Sequence, residues 1–327
     1  MLETLLGQGE PLLADGATGT NLFEMGLTSG DNPELWNVTH SDRILALHKS
    51  FVDAGADIIL TNSFGGNRRR LMLHQLEGRT HELNRRAAEI ARSAAAGAGQ
   101  RVIVAGSVGP TGDLLAPLGP INQEEAFDVF VEQIEGLKEG GADVIWIETM
   151  SAPDEIAAAA RAAGSLGMPY TVTASFDTAG KTMMGVAPAT LAALTAEFDP
   201  KPLAFGANCG VGASDLVMSV LAITQAQPDA IVIAKANAGI PQWHGAHIHY
   251  SGTPELMVDY ARLALDAGAR IIGGCCGSTA VHLAAMRRAI DGHKAGARPQ
   301  LADVVAALGP LVAPPSTAQS GRARRRG

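Results

Sequence analysis

The chain has 327 residues, of which 46% are hydrophobic and 4% aromatic, and its formal net charge is −8. This length suits one large α/β domain or two smaller ones, and the acidic balance offers no electrostatic surface for nucleic acid or for an anionic membrane. The N-terminus lacks the basic start and apolar run of a signal peptide, and no 18-residue apolar stretch is present, so we expect a cytoplasmic protein.

Apolar runs of strand length recur along the chain and are separated by segments long enough to form helices. The runs are continuous rather than alternating, which is typical of parallel strands buried on both faces. The eight predicted strands are Pro11–Ala17, Ile58–Phe64, Val102–Val108, Val144–Thr149, Tyr170–Phe176, Ala204–Cys209, Ile231–Ala236 and Arg270–Cys275. Predicted helices between them include Asp42–Ala54, Arg79–Ala96, Gln123–Gly140, Pro254–Gly268 and Thr279–Asp291.

Several predicted helices end on a glycine that supplies a left-handed residue, as at Gly55, Gly141 and Gly268. Eight βα units favour an α/β fold, a (β/α)8 TIM barrel that forms a single domain over residues 1–302. A doubly wound open sheet is the alternative. The Pro- and Arg-containing segment 303–327 is predicted to be a disordered C-terminal tail.

The three cysteines fall at the ends of predicted strands six and eight, where a barrel carries its chemistry. Three thiolates leave a zinc ion one open position, which is the coordination of a catalytic site because structural sites have four protein ligands. An odd number of cysteines argues against a disulfide framework. Buried structural cysteines are the alternative interpretation. The predicted zinc ligands are Cys209, Cys275 and Cys276.

Neighbouring residues of a regular strand point to opposite faces of the sheet. Cys275 and Cys276 therefore reach one metal only if the backbone leaves β geometry between them. The flanking residues Gly273, Gly274 and Gly277 permit such a bend.

The sequence resembles the zinc-dependent homocysteine S-methyltransferase family over about Leu12–Ile290. That family includes betaine–homocysteine methyltransferase, S-methylmethionine–homocysteine methyltransferase and the homocysteine module of cobalamin-dependent methionine synthase. The resemblance rests on motifs at successive strand ends, namely Asp15-Gly16-Ala17-Thr18-Gly19-Thr20, Thr61-Asn62-Ser63-Phe64, Gly106-Ser107-Val108-Gly109-Pro110, Trp146-Ile147-Glu148-Thr149, Ala207-Asn208-Cys209-Gly210, Asn237-Ala238-Gly239-Ile240-Pro241 and Gly273-Gly274-Cys275-Cys276-Gly277.

The resemblance implies Zn²⁺ on the three cysteines and assigns substrate-binding residues around it. Asp15 and Glu148 would hold the amino group of L-homocysteine, since an ammonium in a cavity needs carboxylates within hydrogen-bond reach. Helix capping or a structural ion pair is the alternative for each acid. Backbone amides of the Gly16–Thr20 turn would hold the substrate carboxylate. The predicted substrate-binding set also includes Ala17, Thr18, Gly19, Thr20 and Asn208.

Asn237 would complete the zinc shell before substrate arrives, as the matching asparagine does in the methionine synthase module. An ordinary turn role is the alternative. Animal betaine-dependent enzymes carry a tyrosine directly after the phenylalanine of strand two, and this chain has Gly65 there.

The implied reaction is methyl transfer from glycine betaine to the homocysteine thiolate, giving methionine and dimethylglycine. The stretches Asn62–Leu71 and His249–Glu255 resemble bacterial betaine–homocysteine methyltransferases most. Alternative donors are S-methylmethionine, a methyl-corrinoid or a methylfolate. Aromatic faces suit a cationic donor, and the candidates for a donor pocket are Trp36, Phe64 and Trp243.

Two other classes stay open: a metal-free barrel lyase with structural cysteines, and a non-catalytic homocysteine-binding module. The loop after strand seven carries three histidines, His244, His247 and His249. Three interpretations of this loop are open: it lines a donor pocket, it binds a metal, or it is a plain surface loop. We expect no nucleic-acid or membrane partner, and the sequence leaves open whether the chain forms a homo-oligomer.

Overall fold

The structure is a computed structural model that describes residues 2–244 and 247–312, with side chains described outside 241–249. Its parallel strands are β1 (Leu12–Leu13), β2 (Ile58–Leu60), β3 (Ile103–Val108), β4 (Val144–Met150), β5 (Tyr170–Ala174), β6 (Ala204–Cys209), β7 (Val232–Ala236) and β10 (Ala269–Gly274). Two further strands, β8 (Pro241–His244) and β9 (His247–Tyr250), pair antiparallel as a hairpin.

The eight parallel strands form one sheet in the order β1-β10-β7-β6-β5-β4-β3-β2. An isolated parallel bridge between Ala14 and Ile58 joins the two edge strands. The sheet therefore closes on itself as a barrel, which confirms the predicted (β/α)8 architecture and excludes the open sheet.

Helices surround the barrel and cover the outer faces of its strands. They are α1 (Leu2–Leu6), α2 (Gly19–Glu24), α3 (Trp36–Thr39), α4 (Ser41–Asp53), α5 (Arg68–Leu71), α6 (Thr80–Ala96), α7 (Gln123–Glu139), α8 (Pro153–Ser165), α9 (Pro188–Ala196), α10 (Ala213–Ala226), α11 (Pro254–Asp266), α12 (Ala280–Asp291) and α13 (Leu301–Leu308). In the part of the chain that the structure describes, no helix is long and apolar enough to cross a membrane.

The predicted helix ends are confirmed at three glycines, since Gly55, Gly141 and Gly268 have φ of +94°, +92° and +99°. The first two strands are shorter than predicted. Beyond Leu60, the Thr61 amide still donates to the Ala105 carbonyl of β3, but the Ser63 amide then donates back to the Thr61 carbonyl at 2.9 Å, and the hydroxyl groups of Thr61 and Ser63 hydrogen-bond at 2.6 Å. Local side-chain bonds of this kind compete with the strand ladder.

The backbone adds to one further prediction and corrects another. The loop after strand seven contains the β8–β9 hairpin. The predicted disordered tail begins inside α13, so the prediction is wrong for residues 303–308, whose apolar residue Val304 is buried in the core. Residues 313–327 lie outside the described part of the chain.

The apolar core has two layers. A large cluster fills the space between the strands and the helices. A smaller one lies inside the barrel, where alternate strand residues meet, and α1 closes it at the amino-terminal ends of the strands through Leu2 and Leu6. The interior cluster contains Leu12, Ala14, Ile58, Leu60, Ile103, Ala105, Val144, Trp146, Ala204, Ile233 and Ile271.

Close packing inside the barrel gives a first test. A Cβ atom added at Gly206 would lie 2.0 Å from the Ile233 carbonyl oxygen of the neighbouring strand, whereas one at Gly78 would have nothing within 4 Å. We expect Gly206→Ala to lower the free energy of unfolding by about 1–3 kcal/mol or more. Gly78→Ala is the control and should leave it nearly unchanged. Urea denaturation of both variants measures this, and equal stabilities would contradict the packing.

Candidate metal centre and substrate site

The three cysteines lie at the carboxyl ends of two strands that flank β7. Cys209 ends β6, and Cys275 follows β10; Ala236 of β7 is paired with Cys209 on one side and with Gly274 on the other. Cys209 has φ of +60° and Gly277 has φ of +78°. β6 therefore leaves β geometry at Cys209. β10 ends at Gly274 and Cys276 lies in a turn, which agrees with the bend predicted from the adjacency of Cys275 and Cys276.

The sulfur atoms form a compact cluster. All three Sγ atoms lie within 4.8 Å of one another, and those of Cys209 and Cys276 are 3.9 Å apart. Tetrahedral ligands with zinc–sulfur bonds of about 2.3 Å would place their sulfurs about 3.8 Å apart, whereas a disulfide needs about 2.0 Å. The donor set and its spacing therefore fit a zinc ion with three protein thiolates.

The crowding of the sulfurs disfavours ionisation of Cys209 without a cation. Hydrogen bonds with Cys275 and Cys276, followed by burial, raise the pKa of Cys209 above its usual range. A divalent cation would relieve the repulsion between the thiolates, so the cluster suits a metal better than three free thiols.

Two of the three flanking glycines serve close packing rather than the predicted bend. A Cβ at Gly274 would lie 2.2 Å from Ser278 Oγ, and one at Gly273 would lie 2.9 Å from Lys235 Cγ. Only Gly277 of the three has a positive φ. The glycine pattern around the cysteines therefore reflects both a turn and a shortage of space.

The predicted carboxylate-binding turn packs directly against the cysteine turn. The Ala17 amide donates to Ser278 Oγ at 3.2 Å, and the Gly277 amide donates to Thr20 Oγ1 at 3.2 Å. The Ala17 amide is thus used by the fold. The amides of Thr18, Gly19 and Thr20 donate to no acceptor in residues 2–244 and 247–312, so a substrate role for them stays a prediction.

Strand alternation carries polar side chains into the barrel above the apolar interior. Every second residue of a strand faces the same side of the sheet. A residue two or four positions after one of the interior residues listed above therefore also points into the barrel. Val144 and Trp146 are followed by Glu148, Ile233 by Lys235 and Asn237, Ile103 and Ala105 by Ser107, and Ala204 by Asn208.

Asn208 joins β4 to β6 beneath the cysteines. Its Oδ1 accepts the Thr149 amide at 2.9 Å, and its Nδ2 donates to Thr149 Oγ1 at 2.7 Å and toward Cys275 Sγ at 3.9 Å. Thr149 has φ of +60°, which is a strained conformation for a β-branched residue. Asn208, predicted to bind substrate, therefore holds a strained strand end and contacts a predicted ligand sulfur.

Glu148 is 8% exposed and lies at a register shift between β4 and β5. Its Oε1 accepts the Ser107 hydroxyl, and its Oε2 accepts no hydrogen bond from the described residues. Burial raises the pKa of Glu148 to about 7, against the lowering effect of Lys235. One carboxylate oxygen is therefore free for a further donor.

Asp15 has different surroundings. It is fully buried, its Oδ2 accepts the Leu60 amide at 2.7 Å, and its Oδ1 lies 2.6 Å from Lys235 Nζ. Burial acts to lower the pKa of Lys235, but the charges of Asp15 and Glu148 outweigh it and hold the pKa above its usual value. The predicted alternative of a structural ion pair is thus what the structure shows for Asp15.

Asn237 lies one residue beyond β7, between the two cysteine strands. Its Nδ2 donates to the Gly210 carbonyl at 2.8 Å. Its Oδ1 is buried and has no hydrogen-bond partner among the described residues. An orphaned oxygen next to the cysteine strands fits the predicted role of a fourth metal ligand.

Residues 12–290 match the family model described as homocysteine S-methyltransferase. The chain belongs to this family.

Methionine synthase of Mycobacterium leprae (strain TN) is 29% identical over 313 residues, which cover 89% of this chain and 25% of that protein. The chain therefore spans about a quarter of the length of this relative. The metallated form of the Escherichia coli homocysteine methyltransferase MmuM is 25% identical with a TM-score of 0.72, covering 88% of this chain and 99% of MmuM. Its oxidized form gives a TM-score of 0.73 at the same identity, covering 88% and 98%.

In this member of the homocysteine S-methyltransferase family, the structure describes the surroundings of two of the three predicted donor aromatics, Trp36 and Phe64. Trp36 is 6% exposed, and the Arg43 guanidinium lies 5.0 Å from its ring centre, so a cation already covers it. Phe64 is half-buried beside Gly109. The side chains of Trp243, His244, His247 and His249 lie outside those described, and their predicted roles are untested.

Sequence reasoning missed three residues of the site. Lys235 and Ser107 stand in otherwise apolar strands, and the strand alternation that marks Glu148 would also have marked them. Tyr250 ends β9 and packs on the cysteine turn, since a Cβ at Gly277 would lie 2.3 Å from Tyr250 Cγ. No spacing in the sequence indicates that last contact.

The pKa of Glu148 predicts a pH dependence of stability. The Glu148 carboxyl group loses its proton near the ordinary pKa of 4.5 in the unfolded chain and near 7 in the folded chain. The folded state thus binds more protons between these values, and stability falls as pH rises through this window, by about 3 kcal/mol.

We expect the stability of Glu148→Gln relative to the parent to rise by this amount between pH 4.5 and 7, and then to level off. Urea denaturation of both metal-free proteins across this range is the measurement. A stability difference that does not change with pH would contradict the assignment.

Proposed function

We propose that this chain is an enzyme that transfers a methyl group to the sulfur of L-homocysteine and so forms methionine. The observation that carries the proposal is the cluster of three thiols at the carboxyl ends of β6 and β10, in a chain of this family. Three protein sulfurs leave a zinc ion one position for a substrate sulfur.

Cys209, Cys275 and Cys276 would hold the zinc, and the orphaned Oδ1 of Asn237 is the best candidate for the remaining position in the absence of substrate. When bound, zinc would supply a Lewis acid that lowers the pKa of the homocysteine thiol, so that the thiol would release its proton to solvent at neutral pH. The strained backbone at Cys209 and the Asn208–Thr149 bonds hold two of the sulfurs in place.

The amino-acid end of the substrate would bind between Glu148 and the first turn of α2. The free Oε2 of Glu148 would accept a hydrogen bond from the substrate ammonium, while Ser107 holds Oε1. The unbonded amides of Thr18–Thr20 would face the substrate carboxylate. These contacts fix the substrate at the end opposite its sulfur and so align it for transfer.

The transfer itself needs no acid or base from the chain. The sulfur lone pair forms the new S–C bond, the bond from the methyl carbon to the cationic donor atom breaks, and its electron pair stays on that atom, which becomes neutral. The barrel's task is to align the two reactants and to exclude water.

For the donor we propose glycine betaine, which would leave as dimethylglycine. A small cation is supported by a buried carboxylate beside the predicted donor residue Phe64: Glu34 is 4% exposed, and its Oε1 accepts the Gly65 amide at 2.7 Å. The same surroundings suit the sulfonium of S-methylmethionine, so the choice between these donors rests on experiment.

The zinc assignment predicts the behaviour of a cysteine variant. Cys276→Ala should reduce zinc from about one ion per chain to a small fraction and should abolish methionine formation, because two thiolates bind zinc poorly. Metal analysis and a methionine assay measure these effects, and thermal unfolding checks that the variant folds.

Full zinc content and turnover in Cys276→Ala would contradict the mechanism. A parent protein that purifies without zinc and makes no methionine would favour the barrel lyase. Zinc and homocysteine binding without methionine formation under any donor would favour a homocysteine-binding module.

The donor assignment predicts the result of a competition. With zinc-loaded protein and homocysteine, we expect equimolar betaine and S-methylmethionine to yield dimethylglycine as the main leaving product, measured by mass spectrometry. Preference for S-methylmethionine, or turnover only with a methyl-corrinoid or methylfolate, would overturn betaine while leaving homocysteine methylation in place.

A further inference from the structure

We propose that Arg70 binds the carboxylate of the methyl donor and thereby restricts the donor to zwitterions, molecules that carry a carboxylate beside their methylated cation. Glycine betaine and S-methylmethionine both have this form. The inference rests on the proposed function, because it names the residue that recognises the charged group of a small donor that is not transferred.

Arg70 differs from the two arginines that precede it in α5. Arg68 pairs with Glu132 at 3.1 Å, and Arg69 pairs with Asp113 at 2.6 Å. The guanidinium group of Arg70 has no hydrogen bond or ion pair with any residue that the structure describes. Its side chain is half-buried. A half-buried guanidinium whose donors are all open is suited to an anionic ligand.

The segments that follow the first four strands surround Arg70. The residue belongs to α5, after β2, and its side chain lies over the loop after β3, where a Cβ at Gly112 would be 3.0 Å from Arg70 Cδ and 3.1 Å from its Nη1. Its charge also reaches Glu34, between β1 and β2, and Glu155, after β4. Arg70 therefore lies on the same face of the barrel as the cysteines.

The two neighbouring carboxyl groups are held by other donors. Glu34 and Glu155 are each 4% exposed, and burial raises the pKa of both, while the charge of Arg70 acts to lower it. Glu34 accepts the Gly65 amide at 2.7 Å, and Glu155 accepts the amide and the hydroxyl of Thr111 at 2.8 and 2.6 Å. Arg70 thus has acidic neighbours without being hydrogen-bonded to either of them.

This mixture of groups favours a zwitterion as the ligand. The predicted donor residue Phe64 packs on the same loop as Arg70, since a Cβ at Gly109 would lie 2.5 Å from Phe64 Cε2. The aromatic ring and the buried carboxylates suit a methylated cation, and a guanidinium binds a carboxylate through two parallel hydrogen bonds. A simple cation would leave Arg70 unused, and a simple anion would meet the two acids.

The strand order places Arg70 where the donor carboxylate would be. In the closed barrel β3 lies opposite β7, and β7 separates the two strands that carry the cysteines. During transfer the methyl carbon lies between the homocysteine sulfur and the cationic donor atom, so the rest of the donor extends away from the sulfur. Arg70, between the loops after β2 and β3, lies on that far side.

The carboxylate keeps its charge throughout the reaction, so Arg70 would bind the donor and the transition state equally. Loss of such binding raises KM and leaves kcat unchanged. In the zinc-loaded full-length protein, Arg70→Gln should raise the betaine KM at least about tenfold, with kcat and the homocysteine KM nearly unchanged. The matched control is Arg69→Gln, which removes the same charge from the same turn but a guanidinium that Asp113 already occupies. It should leave the betaine KM within about twofold of the parent.

Calorimetry gives a second measurement that needs no turnover. With homocysteine present, the product dimethylglycine should bind Arg70→Gln at least about tenfold more weakly than it binds the parent. N,N-dimethylethanolamine, in which a hydroxymethyl group replaces the carboxylate, should bind both proteins equally. If Arg70 only stabilises the neighbouring acids, both ligands will lose the same affinity, and the inference is wrong.

An unchanged betaine KM in folded Arg70→Gln would also overturn the inference. If this variant does not fold, the parent carries the test: dimethylglycine must bind at least about tenfold more tightly than N,N-dimethylethanolamine, and equal affinities would overturn the inference. A parent that uses S-methylmethionine and not betaine would overturn the proposed donor, and the KM for S-methylmethionine in Arg70→Gln would then decide the role of Arg70. A parent that forms methionine from neither zwitterion would overturn the proposed donor and this inference together.

Discussion

The buried contacts of Asp15 tie together four strands of the barrel. Its side chain bonds to β2 and β7, and its carbonyl oxygen accepts the Gly274 amide at the end of β10. The cysteine turn begins at the residue after Gly274. Asp15 thus takes part both in the closure of the barrel between β1 and β2 and in the backbone contact that precedes the cysteine turn. The positions of Cys275 and Cys276 therefore depend on how the barrel closes.

A second set of contacts holds the other side of the site. Asn208 bridges to Thr149, and both Thr149 and Cys209 adopt left-handed backbone conformations that non-glycine residues rarely take. Strain of this kind persists only where surrounding contacts fix it. The predicted metal and substrate residues of β4 and β6 therefore form one rigid unit, which suits a reaction that depends on alignment.

Much of this could be predicted from the sequence because the signals are local. Continuous apolar runs mark parallel strands, and a cysteine between glycines at a strand end marks a site at the barrel mouth. The glycines that end helices, at positions 55, 141 and 268, could also be predicted, because the left-handed position after a helix is usually occupied by glycine. The strand ends were harder to place, since the backbone after Thr61 turns back on itself, with the Ser63 amide donating to the Thr61 carbonyl.

What the sequence did not yield depends on contacts between distant residues. Lys235 and Asp15 are 220 positions apart, and nothing near either residue marks the other as its partner. The burial of Trp36 under Arg43 has the same origin, because an aromatic residue near a strand end is as suited to packing as to binding. α13 was missed because its eight residues stand next to a proline-rich stretch that suggests disorder.

The helix α1 has a practical consequence. Leu2 and Leu6 fill the amino-terminal opening of the barrel, and the Leu6 carbonyl oxygen accepts a hydrogen bond from Arg270 at the start region of β10. The cysteines lie at the other end of the same strand. A surface or probe attached through α1 would therefore hold the molecule by its closed base, and the end that carries the cysteines would point away from the attachment.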